Sequence, residues 1–527
     1  MEVKSQMQQN HKSGSVRHAE KRRTGTCQFS DRVALVSIQA FNERIPKKWR
    51  DENKQVCLAT IVAHFCANED EEGKLLVCGL GVGTKYVSDE IIDSDTGNLS
   101  CGAAGTNDND AVETPRNEEM NSPSYYGMRI RDSHAEVLAR RAFRRKLTVE
   151  MQSIIAGQIS SDTSILHYDA STKGAIFSLA DGVTIHMYTS STPCGNSCLK
   201  KFSKMAKEKF NACLGADEWP KEIHEPMPAH SLHLGNFSLL VKRDYSSTKF
   251  PNLEKDLAHI PKKQRKWPAN LTDDWCPPGT SVPHLGKGSI HTCSDKICRW
   301  NYLGLQGSFL SSLLERPIYM DSLTVGRKFT KVIAQRAVCC RAACGDTKRS
   351  KRKREESDEY EKETAITEPS IYKLNHPAIC GTGVYFDDCG VLDMSGGKII
   401  GQDVRFRSTL CWIWCPNNDV NERFNAECID GETGFLHAYN DSDTRLDCNK
   451  TNKSSAACTY ELAIQFMDVL RSHGNTMVEE PYSSRVQTLD QLRALKRTVS
   501  SKYETAKDDL LQNHAVFNLW NRRDNKR

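Results

Sequence analysis

The segment SHAEVLARRAFRRKL (133–147) places the tightest limit on how this chain can fold. Ala135, Leu138 and Ala142 fall on one side of a 3.6-residue repeat, with Ala139, Phe143 and Leu147 beside them, which predicts an amphipathic helix. Asp132 and Ser133 are good N-cap residues for it. A helix of this kind has to bury its apolar stripe, and the neighbouring segments offer strands to bury it on. LLVCGLGVGTK (75–85) predicts a strand running into a Gly-rich turn. In VTIHMYTSSTPCG (183–195), Val183, Ile185 and Met187 alternate with Thr184, His186 and Tyr188 before Pro193 and Cys194, which predicts a second strand.

The first turn of the helix carries His134 and Glu136, so a metal on the histidine would have a carboxylate beside it that need not be a ligand. The residues from Asn196 onward (NSCLKKFSKMAKEKF) look helical, which places Cys194 near a helix N-terminus, where the dipole favours a thiolate. A His-x-Glu element followed by a Pro-Cys element is shared by zinc deaminases of nucleobases, whose second cysteine usually comes from PCxxC. Here Cys198 lies one residue too far from Cys194, so a further ligand must come from elsewhere in the chain. The chain has 21 cysteines in 527 residues, scattered singly and in uneven pairs, which fits reduced thiols better than a disulfide framework. A Cys/His constellation is then more naturally a metal or catalytic site than a set of bridges.

A net charge of +5 neither demands nor excludes nucleic acid. No apolar run approaches the roughly 20 residues of a membrane span, and the first residues lack a signal-peptide core, so the expected setting is intracellular, nucleus or cytoplasm. Residues 1–28 predict a disordered basic arm, and 29–525 one large domain interrupted by two polar insertions at 88–125 and 347–363. The second insertion opens with KRSKRKR (348–354), either a nuclear localisation signal or simply solvated charge. No repeat of fixed period is present.

From Leu489 to Leu511 an apolar stripe runs through Leu492, Leu495, Val499, Tyr503, Ala506 and Leu510 at helical spacing, and Lys496 and Lys507 fall inside it. Inward lysines require an anion, unless they snorkel to the surface.

Around Cys293 the chain runs TCSDKICRWNYLGLQG (292–307), and here it resembles a known family. Together with GVGTK (81–85), SHAEVLARR, STPCG and YETAK (503–507), in this order, these motifs resemble the catalytic domain of adenosine deaminases acting on double-stranded RNA and on tRNA. The resemblance extends from about Phe29 to Trp520. It implies an α/β fold, a cytidine-deaminase-like three-layer arrangement with a mixed central sheet and an additional C-terminal helical region. It implies Zn2+ on His134, Cys194 and Cys293, and Glu136 as the proton carrier in hydrolysis of adenosine to inosine. Cys198 and Cys298 are then structural, with Cys198 the alternative to Cys293 as third ligand. It further implies buried inositol hexakisphosphate lined by Arg140, Arg141, Lys296, Arg299, Trp300, Lys496, Tyr503, Lys507 and Trp520, with Arg497 as a substitute for Lys496 and Arg522 and Arg523 as further contributors.

The single-chain branch of that family acting on tRNA is the nearer resemblance, because no segment ahead of the domain has room for a double-stranded RNA-binding domain. DDWCPPGTSVP (273–283), where the duplex enzymes carry a base-replacing residue, also has no obvious polar wedge. This implies alanine tRNA as partner and the adenosine 3′ of the anticodon (position 37) as target, with no membrane and no obligate protein partner. Thr84 and Lys85 match the turn that reaches the target nucleotide. Lys200, Lys201, Lys204, Lys207 and Lys209 form either a phosphate-binding or a merely solvated face. The alternatives are editing of duplex RNA and a non-catalytic RNA-binding scaffold.

Overall fold

The computed structural model describes residues 28–52, 56–66, 73–87, 91, 127–159, 164–171, 176–194, 197, 292–340, 342, 370–386, 409–416, 426–438, 452–472 and 489–513. The residues of the arm before Gln28, nearly all of both insertions, Cys198, the lysines 200–209, the segment 273–283, Trp520, Arg522 and Arg523 lie outside them.

At the centre is a seven-stranded mixed sheet. Its strands are β1 (Leu58–Phe65), β2 (Lys74–Val82), β7 (Val183–Ser191), β8 (Ser322–Arg327), β9 (Ala378–Gly381), β10 (Leu410–Trp414) and β11 (Glu427–Asp430), in spatial order β11-β10-β2-β1-β7-β8-β9. β1 pairs antiparallel with both β2 and β7, whereas β7, β8 and β9 run parallel. Among the described residues two short ladders accompany the sheet: β3 (Thr84–Tyr86) with β4 (Asp132–His134), and β5 (Leu166–Tyr168) with β6 (Phe177–Leu179).

The twofold side-chain alternation of β1 divides the interior in two. Leu58 and Val62 face α1 (Phe29–Arg44) and α2 (Lys47–Glu52), packing with Phe41, Trp49, Trp412 and Trp414. Ala59, Ile61 and Ala63 face the long helix α3 (Ala135–Ile155) through Ala139, Phe143 and Leu147. Also on this side are α4 (Cys293–Leu303), the single turn α5 (Gly307–Leu310) and α7 (Thr459–Ser472), contributing Ile297, Phe309 and Phe466. Helices therefore cover both faces of a mixed sheet, the three-layer arrangement expected from the resemblance. Each fully buried large side chain, such as Phe41, Phe143 or Phe466, contributes roughly 1.5–3 kcal/mol.

Two glycines set the height of α3 above the sheet. A Cβ on Gly79 would lie 2.5 Å from the Ala139 carbonyl oxygen, and one on Gly81 would overlap that of Ala135. The GLG of β2 therefore lets the backbone of α3 lie directly on the strand. Because the contact runs along the first two turns of α3, it fixes where that helix begins.

Beyond the sheet lie α6 (Lys331–Gln335), which continues as a π-turn over Arg336–Cys340, and the C-terminal helices α8 (Leu489–Val499) and α9 (Ser501–Asn513). The stripe predicted over 489–511 is buried at Leu492, Leu495, Tyr503 and Leu510, but two helices carry it rather than one. The break is at Ser500, a buried residue whose hydroxyl donates to the Ser308 carbonyl (2.5 Å), so anchoring to α5 interrupts the helix.

Candidate active site

Three segments meet at one end of α3. The β3–β4 ladder sets Thr84 opposite His134 and Lys85 opposite Ser133, and the Ala135 amide donates to the Gly83 carbonyl (3.0 Å). His134, not Asp132 or Ser133, is the N-cap residue of α3, because β-pairing holds all three residues of β4 extended. Glu136 is the second residue of the helix and is buried.

The second segment is the end of β7. Thr192 closes it against the parallel neighbour β8, its amide donating to the Arg327 carbonyl (3.0 Å) and its hydroxyl to that of Lys328 (2.6 Å), and Cys194 follows two residues later. The third is the start of α4, fixed by a reciprocal capping box. The Asp295 amide donates to the Thr292 hydroxyl (3.2 Å), and the Asp295 carboxylate accepts from both the hydroxyl (2.6 Å) and amide (3.3 Å) of Thr292. This leaves Cys293 as the first residue of the helix.

His134, Cys194 and Cys293 each place a ligand atom within 4.8 Å of the other two. The Cys293 amide donates to the Cys194 sulfur (3.3 Å) and the Ser294 amide to the Cys194 carbonyl (3.1 Å). The helix end that favours a Cys194 thiolate is thus that of α4, whereas the predicted helix from Asn196 lies outside the described residues. The Cys194 thiol is held below its ordinary pKa, chiefly by a hydrogen bond with the Cys293 thiol and to a smaller extent by His134 and the Cys293 amide. Burial, together with the neighbouring Cys194 and Glu136, pushes the Cys293 thiol up. A thiolate pair this close is stable only with a cation to share.

The orientation of His134 points the same way. Its Nδ1 lies 2.6 Å from Asp132, whose carboxylate can only accept, so Nδ1 carries the proton and Nε2 presents a lone pair. That Nε2 is buried and has no hydrogen-bond partner, as expected of a nitrogen reserved for a metal. Asp132 also accepts from the His134 amide (2.9 Å) and pairs with the Lys296 ammonium. The donor set of one imidazole and two thiolates suits Zn2+ with an open fourth position. The Glu136 carboxylate reaches the Cys293 thiol, which puts it beside the triad.

Next to the predicted Thr84 and Lys85, Tyr86 lies with its ring nearly parallel to that of His134 (13°, centroids 6.3 Å apart). Cys298 is buried on α4 and is not one of the clustered His134, Cys194 and Cys293. Arg140, Arg141, Arg299, Lys496, Tyr503 and Lys507 gather where α3, α4, α8 and α9 approach one another. Burial, followed by repulsion from Arg144, lowers Arg140 to about 9; burial, followed by repulsion from Lys507, lowers Lys496 to about 8. The Arg140 guanidinium lies over the Trp300 ring (5.0 Å) and Lys496 over Phe309 (5.3 Å), while Arg497 is exposed. Lys507 pairs with Glu504 (2.5 Å), the acid among these cations.

Three features escaped the sequence reasoning. Asp132 was visible only as a capping residue, although its position two residues before a candidate histidine ligand was the available signal. Lys296 pairs with Asp132, a contact no pattern encodes. Arg144, one turn after Arg140, joins the basic cluster; both converge on Gly307, where a Cβ would lie 3.1 Å from Arg144 Nε and 3.2 Å from Arg140 Nη2.

Comparison with known proteins agrees with this geometry. Mouse double-stranded RNA-specific adenosine deaminase is 28% identical over 366 residues, 68% of this chain but 23% of that protein. Mouse tRNA-specific adenosine deaminase 1 is 23% identical over 352 residues, 56% of this chain and 65% of that one. The Drosophila melanogaster tRNA-specific adenosine deaminase 1 is 28% identical over 200 residues, 37% of this chain and 38% of that one. The chain therefore spans less than two thirds of the length of each of these relatives. The model of the adenosine-deaminase (editase) domain matches residues 116–524. That match takes in all three ligands, Glu136 and both C-terminal helices, and the chain belongs to the adenosine-deaminase (editase) domain family.

Proposed function

We propose that the protein is a zinc-dependent deaminase that hydrolyses adenosine to inosine in RNA, with the adenosine 3′ of the anticodon of alanine tRNA as its target. The observation that carries the reading is the buried His134–Cys194–Cys293 triad with an orphaned imidazole Nε2 and the Glu136 carboxylate beside it. A structural metal site has no need of that carboxylate, which favours an enzyme over a scaffold.

Zinc on these three ligands would supply Lewis-acid activation of water. The chain does the rest. Asp132 holds the His134 ring in one tautomer, and the Cys293 thiol at the start of α4 favours a Cys194 thiolate. Glu136 takes a proton from the water as its oxygen bonds to C6 and hands it to the adjacent ring nitrogen; the remaining hydroxyl proton then passes to the amino group, the C6–N bond breaks and ammonia leaves. Thr84 and Lys85, on the strand paired beside His134, would meet the target nucleotide, with Lys85 offering a cation for phosphate.

The tRNA reading is supported by the larger share of the mouse tRNA-specific relative that the chain spans, 65% against 23% of the double-stranded RNA-specific one. The identity to the latter, 28%, favours duplex RNA as the second reading. Supplying alanine tRNA and a long duplex side by side separates them. Inosine beside the anticodon alone supports the first, and inosine in the duplex alone replaces it.

The ligand proposed for the basic cluster is inositol hexakisphosphate. The Nε atoms of Arg140 and Arg141 are buried without a partner, and burial with mutual repulsion weakens Arg140 and Lys496 as bases. Such a cluster is stable around a polyanion and costly without one. Arg140, Arg141, Lys296, Arg299, Trp300, Lys496, Tyr503 and Lys507, with Trp520, would line the site. Phosphorus released on denaturing the purified protein tests this, and its absence refutes it.

A further inference from the structure

A second group of soft ligands lies apart from the triad. Cys339 and Cys340 end the π-turn that follows α6, and His376 stands two residues before β9. Their sulfur and imidazole atoms all lie within 4.8 Å of one another. The Cys339 and Cys340 sulfurs are 3.5 Å apart, and the Cys340 sulfur is 3.8 Å from His376 Nδ1.

These separations are those of a tetrahedral metal site. With Zn–S of about 2.3 Å and Zn–N of about 2.0–2.1 Å, tetrahedral angles give edges of about 3.8 Å between two sulfurs and about 3.6 Å between sulfur and nitrogen. Adjacent residues of a regular helix diverge too far to chelate together. The π-turn over Arg336–Cys340 departs from that geometry, and such turns are frequently found at functional sites.

The two ligand-bearing segments are also positioned by one residue. Asn301 on α4 is fully buried; its side-chain amide donates to the Val338 carbonyl of the π-turn (2.9 Å), and its own carbonyl accepts from the Asn375 amide, next to His376 (2.6 Å). Asn375 is held in turn by a bond from its side chain to the Met320 carbonyl (2.6 Å). The three ligands thus sit on backbone that is fixed before any ion binds. Cys339 and Cys340 are buried, where two thiolates need a divalent cation for neutrality, and His376 is exposed, which leaves the ion an entry path.

We propose that Cys339, Cys340 and His376 hold a second zinc ion, which cross-links the π-turn to the segment entering β9. His376 follows Cys340 by 36 positions, and the charged insertion lies between them in sequence. A metal bridging its two ends closes that loop and ties the π-turn to the entry of β9, removing closure entropy from the unfolded chain. The site is independent of the deamination chemistry.

The test is zinc content of the full-length protein by mass spectrometry, combined with alkylation of Cys340 by iodoacetamide. Wild type should hold two equivalents of zinc. His376→Ala and the Cys339→Ser/Cys340→Ser double variant should each hold one, and Cys293→Ser should keep the other. Zinc should slow alkylation of wild-type Cys340 at least tenfold. Should the double variant fail to fold, His376→Ala, which alters an exposed side chain, carries the test. One equivalent in wild type that is unchanged by His376→Ala, or alkylation at the same rate with and without zinc, overturns the proposal.

Discussion

Replacing Asp132 by Asn separates two roles that meet in one carboxylate. Asp132 fixes the tautomer of His134 through a 2.6 Å contact with Nδ1 and neutralises the buried Lys296 ammonium. Asn keeps the shape but removes the charge, and its amide can turn its NH2 toward either group. Losing the carboxylate behind a ligating histidine costs about 10–100-fold in metal affinity, about 1.4–2.7 kcal/mol. Lys296 meanwhile is left buried without its acid. Burial, with Arg299 and Arg131 nearby, already works against its charge, so breaking the pair should cost about 3–5 kcal/mol of stability. The two losses have different cures. Lys296→Met in the Asp132→Asn background removes the stranded ammonium and should recover most of the stability while leaving zinc affinity low. Competition with a chromophoric chelator reads the first quantity and urea unfolding the second. An Asp132→Asn protein that binds zinc as wild type does, or a double variant no more stable than Asp132→Asn alone, would refute this division.

Three further outcomes are expected. Gly81→Ala sets a methyl against the Ala135 carbonyl, so α3 must shift; it should lose at least about 1–3 kcal/mol in thermal unfolding and bind zinc less tightly, and wild-type values for both would contradict the packing argument. Lys496 is lowered from its ordinary 10.5 to about 8, so between those values the unfolded chain holds more protons than the folded one. Stability of polyanion-free protein should therefore rise with pH across that window and be lowest below it, and added inositol hexakisphosphate should flatten the rise; a urea midpoint that falls from pH 8 to 10 without polyanion would count against the basic cluster. Thr292→Ala removes the cap of α4 and should cost about 0.5–2 kcal/mol while raising the Cys194 pKa in metal-free protein, which thiol alkylation against pH would measure.

What could be read from the sequence follows from range. The helix over Ala135–Ile155 and the strand over Val183–Ser191 declare themselves by local periodicity, and the structure has both. His134, Cys194 and Cys293 were legible as a set only because the motifs around them occur in family order; spacing alone favoured no third ligand. Nothing local could reveal that Asp132 and Lys296 pair across 164 positions, or that the α4 amides rather than those after Asn196 reach Cys194. The break at Ser500 was equally hidden, because the stripe keeps its period through the kink while the anchoring carbonyl of Ser308 lies far away in sequence. The pair Cys339-Cys340 gave no signal either, since a regular helix would have turned the two sulfurs apart.

The most direct test of the central claim is inosine formation in alanine tRNA by wild type and Glu136→Gln, with zinc measured on both. Wild type should form inosine, the variant should be slower by about 10²–10⁴, and both should hold the same zinc content. Equal rates from the two proteins, or zinc bound in wild type with no inosine from any RNA offered, would contradict it.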